Sequence, residues 1–431
     1  MQPTDGADNK PPQNFGHALG TYTAKGIILA QKKRVLLVAF VTVFLDLMGF
    51  GIIIPIQPFY AELLGAGPAV VTLLGGSYSL MQFLFAPFWG RLSDRIGRRP
   101  IILLGVASSV VGYVIFGFAE TLLVLFASRL LTGFGNANIG AAQAIIADVT
   151  DESNRAKGMG LIGAAFGLGF IFGPAIGGIA GQYGPTYPAF VAAAFGVINF
   201  LLAWFLLPET NTNRNSSTHG HKRLSLDTFR EAKKTPFLIS TLCLTLLTIL
   251  AFALMEQIVG LFIERTWVNA GTTTTESMKE AAKLTSVFLV AVGVTATIVQ
   301  GGLIGRISKR LGDAAVIKIS LVFLTISMLT TPYLIAAKSW GLLMLAGAIL
   351  AGGMGLFNPS STAYISKLAD KDNQGSALGW NQSMASLGRV IGPSIAGTLF
   401  SLNMFRPFQI SAIIMLVALF MSLRLPSSHR P

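Results

Sequence analysis

Long apolar stretches alternate with short polar connections along the whole 431-residue chain. Stretches long enough to cross a bilayer core of about 30 Å as helix, about 20 residues each, start near residues 35, 68, 100, 122, 157, 187, 237, 281, 314, 339, 374 and 405. The pattern predicts an all-α membrane protein with twelve transmembrane helices. The first 34 residues are polar, carry Pro11 and Pro12 and lack the apolar core of a signal peptide, so they read as a disordered cytoplasmic tail. Pro208 to Pro236 is the longest internal polar segment, with Asn211, Asn213, Asn215, two histidines and six basic residues, and it divides the spans six and six. The predicted organisation is a tail at 1–34, a six-helix bundle at 35–207, a cytoplasmic linker at 208–236, a second bundle at 237–424 and a tail at 425–431.

Composition agrees with this pattern. Charged residues make up 12% of the chain, about half the share of a soluble domain, and mean hydropathy is +0.63. Too few polar groups are present to cover a water-facing surface, which excludes a soluble enzyme. The net charge of +13 would suggest nucleic acid in a soluble protein, but its distribution says otherwise. With both termini inside, tails and inner loops hold 24 Lys and Arg, outer loops hold five and spans hold three. Positive loops stay cytoplasmic, so the excess is an orientation signal for a multi-pass protein of the cell membrane, of a kind that suits a bacterial inner membrane. Nucleic acid is not expected as a partner. Cys243 is the single cysteine, which rules out an internal disulfide or a cysteine metal cluster.

The two halves echo each other. Gly90-Arg-Leu-Ser-Asp-Arg-Ile-Gly97 after span 2 recurs 215 positions later as Gly305-Arg-Ile-Ser-Lys-Arg-Leu-Gly312. Gly169, Gly173 and Pro174 in span 5 recur 219 positions later as Gly388, Gly392 and Pro393, and Asp151 and Asn154 as Asp370 and Asn373. A six-span unit duplicated in parallel is the ground plan of transporters that rock two halves about a central site. No phosphate-binding loop is present, so an ATP-driven pump is not expected.

Ionisable groups inside hydrocarbon mark pathways or relays. Asp46 in span 1, Arg129 in span 4, Glu256 in span 7 and Arg389 in span 11 are such groups. Asp46 reads either as a proton carrier, its carboxyl balanced between burial and a nearby cation, or as a structural group that neutralises an arginine or accepts hydrogen bonds in a fixed polar cluster. Glu256, between Met255 and Gln257, reads as a substrate contact, a second proton site or a structural group. Gly169, Gly173 and Gly177 with Pro174, and Gly392 with Pro393, suggest close-packed helices that either flex as hinges or simply touch. In the inner loop after span 2, Gly90, Asp94, Arg95, Gly97 and Arg98 crowd together, and Asp148 ends span 4 on the same side. Arg98 could bridge Asp94 and Asp148 as a cytoplasmic latch that breaks when the inner gate opens; the alternative is a topology anchor.

These residues match a family. Gly90 to Leu103, GRLSDRIGRRPIIL, resembles the loop signature of the major facilitator superfamily, Arg129 to Gly135 its span-4 signature, and Gly169 to Gly178 the span-5 signature associated with antiporters. With Asp46-Leu-Met-Gly-Phe-Gly-Ile-Ile-Ile-Pro55, Tyr78-Ser-Leu-Met-Gln-Phe83 and Ala147-Asp-Val-Thr-Asp151, the chain resembles the twelve-span drug/proton antiporters, in their tetracycline-efflux-like branch. The resemblance implies two pseudo-symmetric six-helix bundles, proton coupling by Asp46 and Arg129, an inner latch of Asp94, Arg98 and Asp148, and a substrate cavity that includes Gln82. Two departures stand out. Val111-Gly112-Tyr113 lacks the acid that tetracycline exporters place before this tyrosine, and Lys309 replaces the acid of the second loop signature, so the latch is expected to be asymmetric. A hydrophobic cation attracted by Glu256 fits better than tetracycline.

The resulting expectation is a proton-coupled exporter of an amphiphilic or lipophilic small molecule. Its cavity is lined by Phe50, Tyr78, Met81, Gln82, Glu256, Gln257, Asn358, Trp380, Asn381 and Arg389, and Glu256 doubles as a proton-site candidate. Substrate, protons and membrane lipids are the expected partners, with no cofactor or metal, and the protein is expected to be a monomer. A lipid or glycolipid translocase of the same fold is the alternative; a non-transporting receptor is disfavoured by the paired intramembrane charges.

Overall fold

The computed structural model describes residues 15–150, 152–211, 237–268, 274–369 and 374–426. Residues 1–14, 212–236, 269–273, 370–373 and 427–431 lie outside them, as does Asp151, so the echo of Asp151 in Asp370 and the position of Asn373 fall beyond the described residues. The described residues form helices and no strand. In the first half these are α1 (Phe15–Ile53), α2 (Gln57–Leu63), α3 (Pro68–Ile96), α4 (Arg98–Gly117), α5 (Leu122–Gly135), α6 (Ile139–Val149), α7 (Glu152–Gly181) and α8 (Tyr187–Leu206). The second half holds α9 (Leu238–Glu256), α10 (Val259–Ile263), α11 (Thr275–Ile298), α12 (Ile304–Leu311), α13 (Asp313–Ala336), α14 (Trp340–Leu368), α15 (Gln374–Leu402) and α16 (Arg406–Ser422).

Ten helical stretches are long and apolar enough to cross a membrane; α15 and α16 pack beside them in the second half. Several starts differ from the apolar pattern. Helix α1 begins at Phe15, inside the stretch expected to be a structureless tail, α7 at Glu152 and α11 at Thr275, because polar first turns extend each helix beyond its apolar run. The capping box of Thr274 and Ser277 fixes the α11 start by satisfying backbone N–H groups that a helix end leaves free.

The repeat seen in the sequence is a repeat in space. Helix α1 packs on α7 and α8, and correspondingly α9 packs on α15 and α16. Gly169 and Gly173 let α7 lie against Leu47 and Gly51, where a Cβ would come within 2.9 and 2.7 Å, and Gly392 lets α15 lie against Ala253 at 2.8 Å. Gly177, also expected as a hinge residue, is a contact residue in the same way. Helix α7 runs unbroken through it to Gly181, and a Cβ there would collide with the Ile52 carbonyl and lie 3.1 Å from Ile52 Cα. Backbone is pressed on backbone there, as it is at Gly173. Gly97 and Gly312, 215 positions apart, both have positive φ, 113° and 78°, and each turns one helix directly into the next.

The halves meet along two seams, α3 with α15 and α7 with α11. Toward one end the seams are tight. Gly397 N donates to Thr72 Oγ1 at 3.2 Å, Gln182 Nε2 donates to the Lys279 carbonyl at 2.9 Å, and Arg265 pairs with Glu62 at 2.6 Å. Toward the opposite end, where Asp94 and Arg98 lie, a Cβ on Gly90, Gly160, Gly163, Gly301, Gly302 or Gly305 would meet nothing within 4 Å. The halves are closed at the Arg265 end and splayed at the Arg98 end.

Candidate functional site

The fourth span is interrupted. Between α5 and α6 a 3-10 turn runs over Asn136–Asn138, and such a break within an apolar span often marks function. Asn136 is buried, and its carboxamide places one heteroatom 2.9 and 2.8 Å from the two Asp46 oxygens and 3.0 Å from Ser109 Oγ, the other 3.0 Å from Tyr78 Oη. A carboxylate only accepts, so the atom facing Asp46 is the amide nitrogen and Tyr78 donates to the amide oxygen. Gln82 Nε2 in turn donates to Tyr78 Oη at 3.1 Å. A directed chain therefore runs from Gln82 through Tyr78 and Asn136 to Asp46.

Arg129 is 2% exposed and forms no ion pair with Asp46 among the described residues. Its guanidinium lies 4.6 Å from the centre of the Tyr78 ring and 5.8 Å from that of Phe50, and these rings stack at 4.7 Å. The cation is held by aromatic faces, where a flat, weakly hydrated guanidinium fits better than an ammonium. Asp46 is thus neither the neutraliser of Arg129 nor balanced by contact with it. Met81 packs at the α3–α5 crossing, where its Cβ would lie 3.0 Å from a Cβ on Gly133.

The second half contributes Glu256, Gln257 and Arg389. Gln257 Oε1 fills the space over Gly75 of the first half, Arg389 Nη2 reaches Ser386 Oγ at 3.5 Å, and Arg389 lies within Coulombic reach of both Glu256 and Tyr78. These residues join the Asp46 chain across the seam. The other expected cavity residues have these surroundings. Asn381 Oδ1 accepts from Thr245 Oγ1 at 2.7 Å, Trp380 packs beside Leu238, Leu242 and Ile365, and Asn358 is exposed.

At the Arg98 end, Arg98 pairs with Asp94 and, at 3.5 Å, with Asp148, and its Nη1 donates to Ser93 Oγ at 2.8 Å. The expected bridge exists, but it ties α3, α4 and α6 of one half and stands while this end is splayed, so opening this end does not require it to break. Arg95 is exposed and takes no part. Nor is the cluster confined to one half. Asp313 occupies the position equivalent to Arg98, accepts from Ser308 and pairs with Lys367 at 2.5 Å; Ser308 and Lys367 are equivalent to Ser93 and Asp148 by the 215 and 219 offsets. The latch is repeated with its charges reversed.

The Major Facilitator Superfamily profile matches residues 39–330 and 281–431. The chain belongs to the Major Facilitator Superfamily. Tetracycline resistance protein, class E, of Escherichia coli is 33% identical over 377 residues, covering 85% of this chain and 88% of its own length. Multidrug resistance protein 2 of Bacillus subtilis (strain 168) is 27% identical over 393 residues, covering 90% and 94%. In fold, the human organic anion transporter TETRAN superposes with a TM-score of 0.66 at 22% identity over 91% of this chain and 99% of that one. The chain is therefore a multi-span membrane protein of a transporter family, which the helical duplication had led us to expect.

Within this superfamily fold, sequence reasoning passed over four groups. Asn136 stands seven residues after Arg129, two turns along the same helix face, and an amide in an apolar span was the available signal. Ser109 carried no such signal. Glu209 accepts from the backbone N–H groups of Arg98 and Arg99 at 2.9 and 3.2 Å, supplying the start of α4 with the carboxylate that α13 has in Asp313 itself. At the opposite end Arg265, already paired with Glu62, also reaches Glu264 at 3.2 Å, and the side chains of both acids are buried.

Proposed function

We propose that this chain is a secondary active transporter that exports amphiphilic or lipophilic, drug-like molecules in exchange for protons, by alternating access of its two six-helix halves. The observation that carries the reading is the half-buried Asp46 carboxylate, held by a neutral amide and joined through Asn136 and Tyr78 to Gln82 at a seam closed at one end only. A carboxylate held this way can gain or lose a proton without breaking an ion pair. The names of the relatives, tetracycline and multidrug resistance proteins, supply the substrate class.

In this reading twelve spans place both termini in the cytoplasm of a bacterial inner membrane, residues 208–236 link two bundles, and the Arg98 end faces inward. Substrate enters from that side between Gln82, Tyr78 and Phe50 on one wall and Glu256, Gln257 and Arg389 on the other. After the halves rock, Asp46 takes a proton from outside, and the return step delivers it inside. Proton and substrate exclude one another because each shifts the two states only by its differential affinity. Flexing at Gly173, Pro174, Gly392 and Pro393 accompanies the rocking, while Gly177 keeps α7 seated on α1. Glu256 favours cationic substrates.

Proteoliposomes with an imposed pH gradient test this directly. Accumulation of a fluorescent lipophilic cation such as ethidium should be gradient-driven in the wild type and lost in Asp46→Asn; undiminished accumulation in that variant would refute the assignment.

A further inference from the structure

On the outer flank of the α7–α11 seam, toward the Arg265 end, α14 closes a third side around a cavity of about 830 Å³. That volume falls within the range of small-molecule sites, about 300–1,000 Å³. Ile179, Val294, Met344 and Leu345 line it and are all exposed. Inward it is sealed, because Gly178 abuts Ser286 so closely that no side chain fits between them. The groove therefore faces the bilayer and does not open into the transport cavity.

One cation breaks its apolar wall. Lys283 lies eight residues inside α11, whose first residue is Thr275. Among the described residues Lys283 makes no ion pair; Glu276 pairs instead with Lys279 at 3.8 Å, and Glu280 leaves Lys283 unpaired. From Lys283 to Thr295 the groove follows α11 for twelve residues, about 18 Å of helix, a little over half of a bilayer core of about 30 Å. An unpaired ammonium at the mouth of an apolar trough one leaflet deep is complementary to a phosphate with an acyl chain beneath it.

We propose that this groove binds an anionic phospholipid of the adjacent leaflet, one acyl chain between α7, α11 and α14 and the phosphate on the Lys283 ammonium, with Gln182 at the polar rim. Its walls belong to both halves. They separate when the Arg265 end opens, so the lipid binds the closed form and favours it. That preference for the closed form rests on the alternating access proposed above; the binding itself does not.

Native mass spectrometry of the purified full chain with added phosphatidylglycerol or phosphatidylcholine of matched acyl chains tests the site. The wild type should retain phosphatidylglycerol about fivefold over phosphatidylcholine, the preference one lysine near the headgroups supports, and Lys283→Gln should equalise the two. Val294→Trp, or Leu345→Trp should the first fail to fold, fills the trough and should lose both lipids. Equal retention by the wild type, preference persisting in Lys283→Gln, or full retention in the tryptophan variants would each overturn the proposal. None of these readouts uses a substrate or a proton gradient, so the lipid site and the export reading can fail separately.

Discussion

The amide nitrogen of Asn136 lies 2.9 and 2.8 Å from the two carboxylate oxygens of Asp46 while its oxygen accepts the Tyr78 hydroxyl. The direction of this chain depends on charge. An ionised Asp46 only accepts; a protonated one can also donate, which allows the amide to turn and present its oxygen. Turning the amide takes the acceptor away from Tyr78 and so alters Gln82, which places the state of the proton at the cavity wall.

Asn136→Leu keeps the volume and removes the link. Charge-assisted hydrogen bonds contribute about 1.5–3 kcal/mol, so gradient-driven export should fall at least about tenfold. Flux down a substrate gradient without a pH gradient should fall much less. Equal losses in both measurements would mean that Asn136 is merely structural.

Arg129→Lys should behave as a severe change although it keeps the charge. The ammonium cannot spread over the Tyr78 and Phe50 faces that hold the guanidinium at 4.6 and 5.8 Å, and about 1–2 kcal/mol of stacking is lost. Export and thermal stability should both drop, whereas Tyr78→Phe, which keeps the ring, should retain stability and lose coupling.

Packing makes a sharp contrast along α7. A Cβ on Gly173 would lie 2.7 Å from Gly51 Cα, and one on Gly163 would meet nothing within 4 Å. Gly173→Ala should lower the melting temperature in detergent, by an amount equivalent to about 1–3 kcal/mol. Gly163→Ala should leave it unchanged or slightly raised.

The charge-reversed clusters permit a compensation test. Arg98→Asp should destabilise the first half, since it places a third acid beside Asp94 and Asp148. Adding Asp148→Lys recreates the Asp313–Lys367 arrangement of the second half, and the pair should recover at least half of the lost stability in a double-mutant cycle. Strict additivity of the two losses would show that the positions do not interact.

Arg265 joins the halves at the closed end, with Glu62 at 2.6 Å and Glu264 at 3.2 Å. Arg265→Gln takes this cation away from two buried carboxyl groups and should favour separation of that end. Spin labels at Tyr183 and Glu276 should show a longer distance in the variant than in the wild type.

Much of this was legible from the chain because lipid leaves few options. Apolar length and loop charge point to the helices and the two halves, and an ionisable residue within an apolar span, such as Asp46, has few reasons to exist other than function. Positions of polar neutrals were harder to read. Asn136 is an ordinary residue type whose importance comes from a 3-10 turn, and nothing local in its sequence announces that turn. Gly177 shows a different limit, since a glycine that bends and a glycine that touches are the same letter, and its contact with Ile52 is visible only in the structure. The equivalence of Arg98 with Asp313 was hidden because comparison by letter treats opposite charges as a mismatch, although an ion pair is preserved when both partners change sign. The start of α11 lies earlier than expected for a related reason: apolar windows set a helix start by hydrophobicity, whereas the Thr274 cap sets it at Thr275.

The seams act as a fulcrum. Contact between the halves includes Gly76 against Pro393 and Gly167 against Thr297, and α3 continues from Gly76 for fourteen residues to Gly90, a lever arm of about 21 Å at 1.5 Å per residue. A rotation of about 10° at that pivot would carry each inner loop about 4 Å. The glycine-lined contacts can remain in register while the far ends travel the width of a drug molecule.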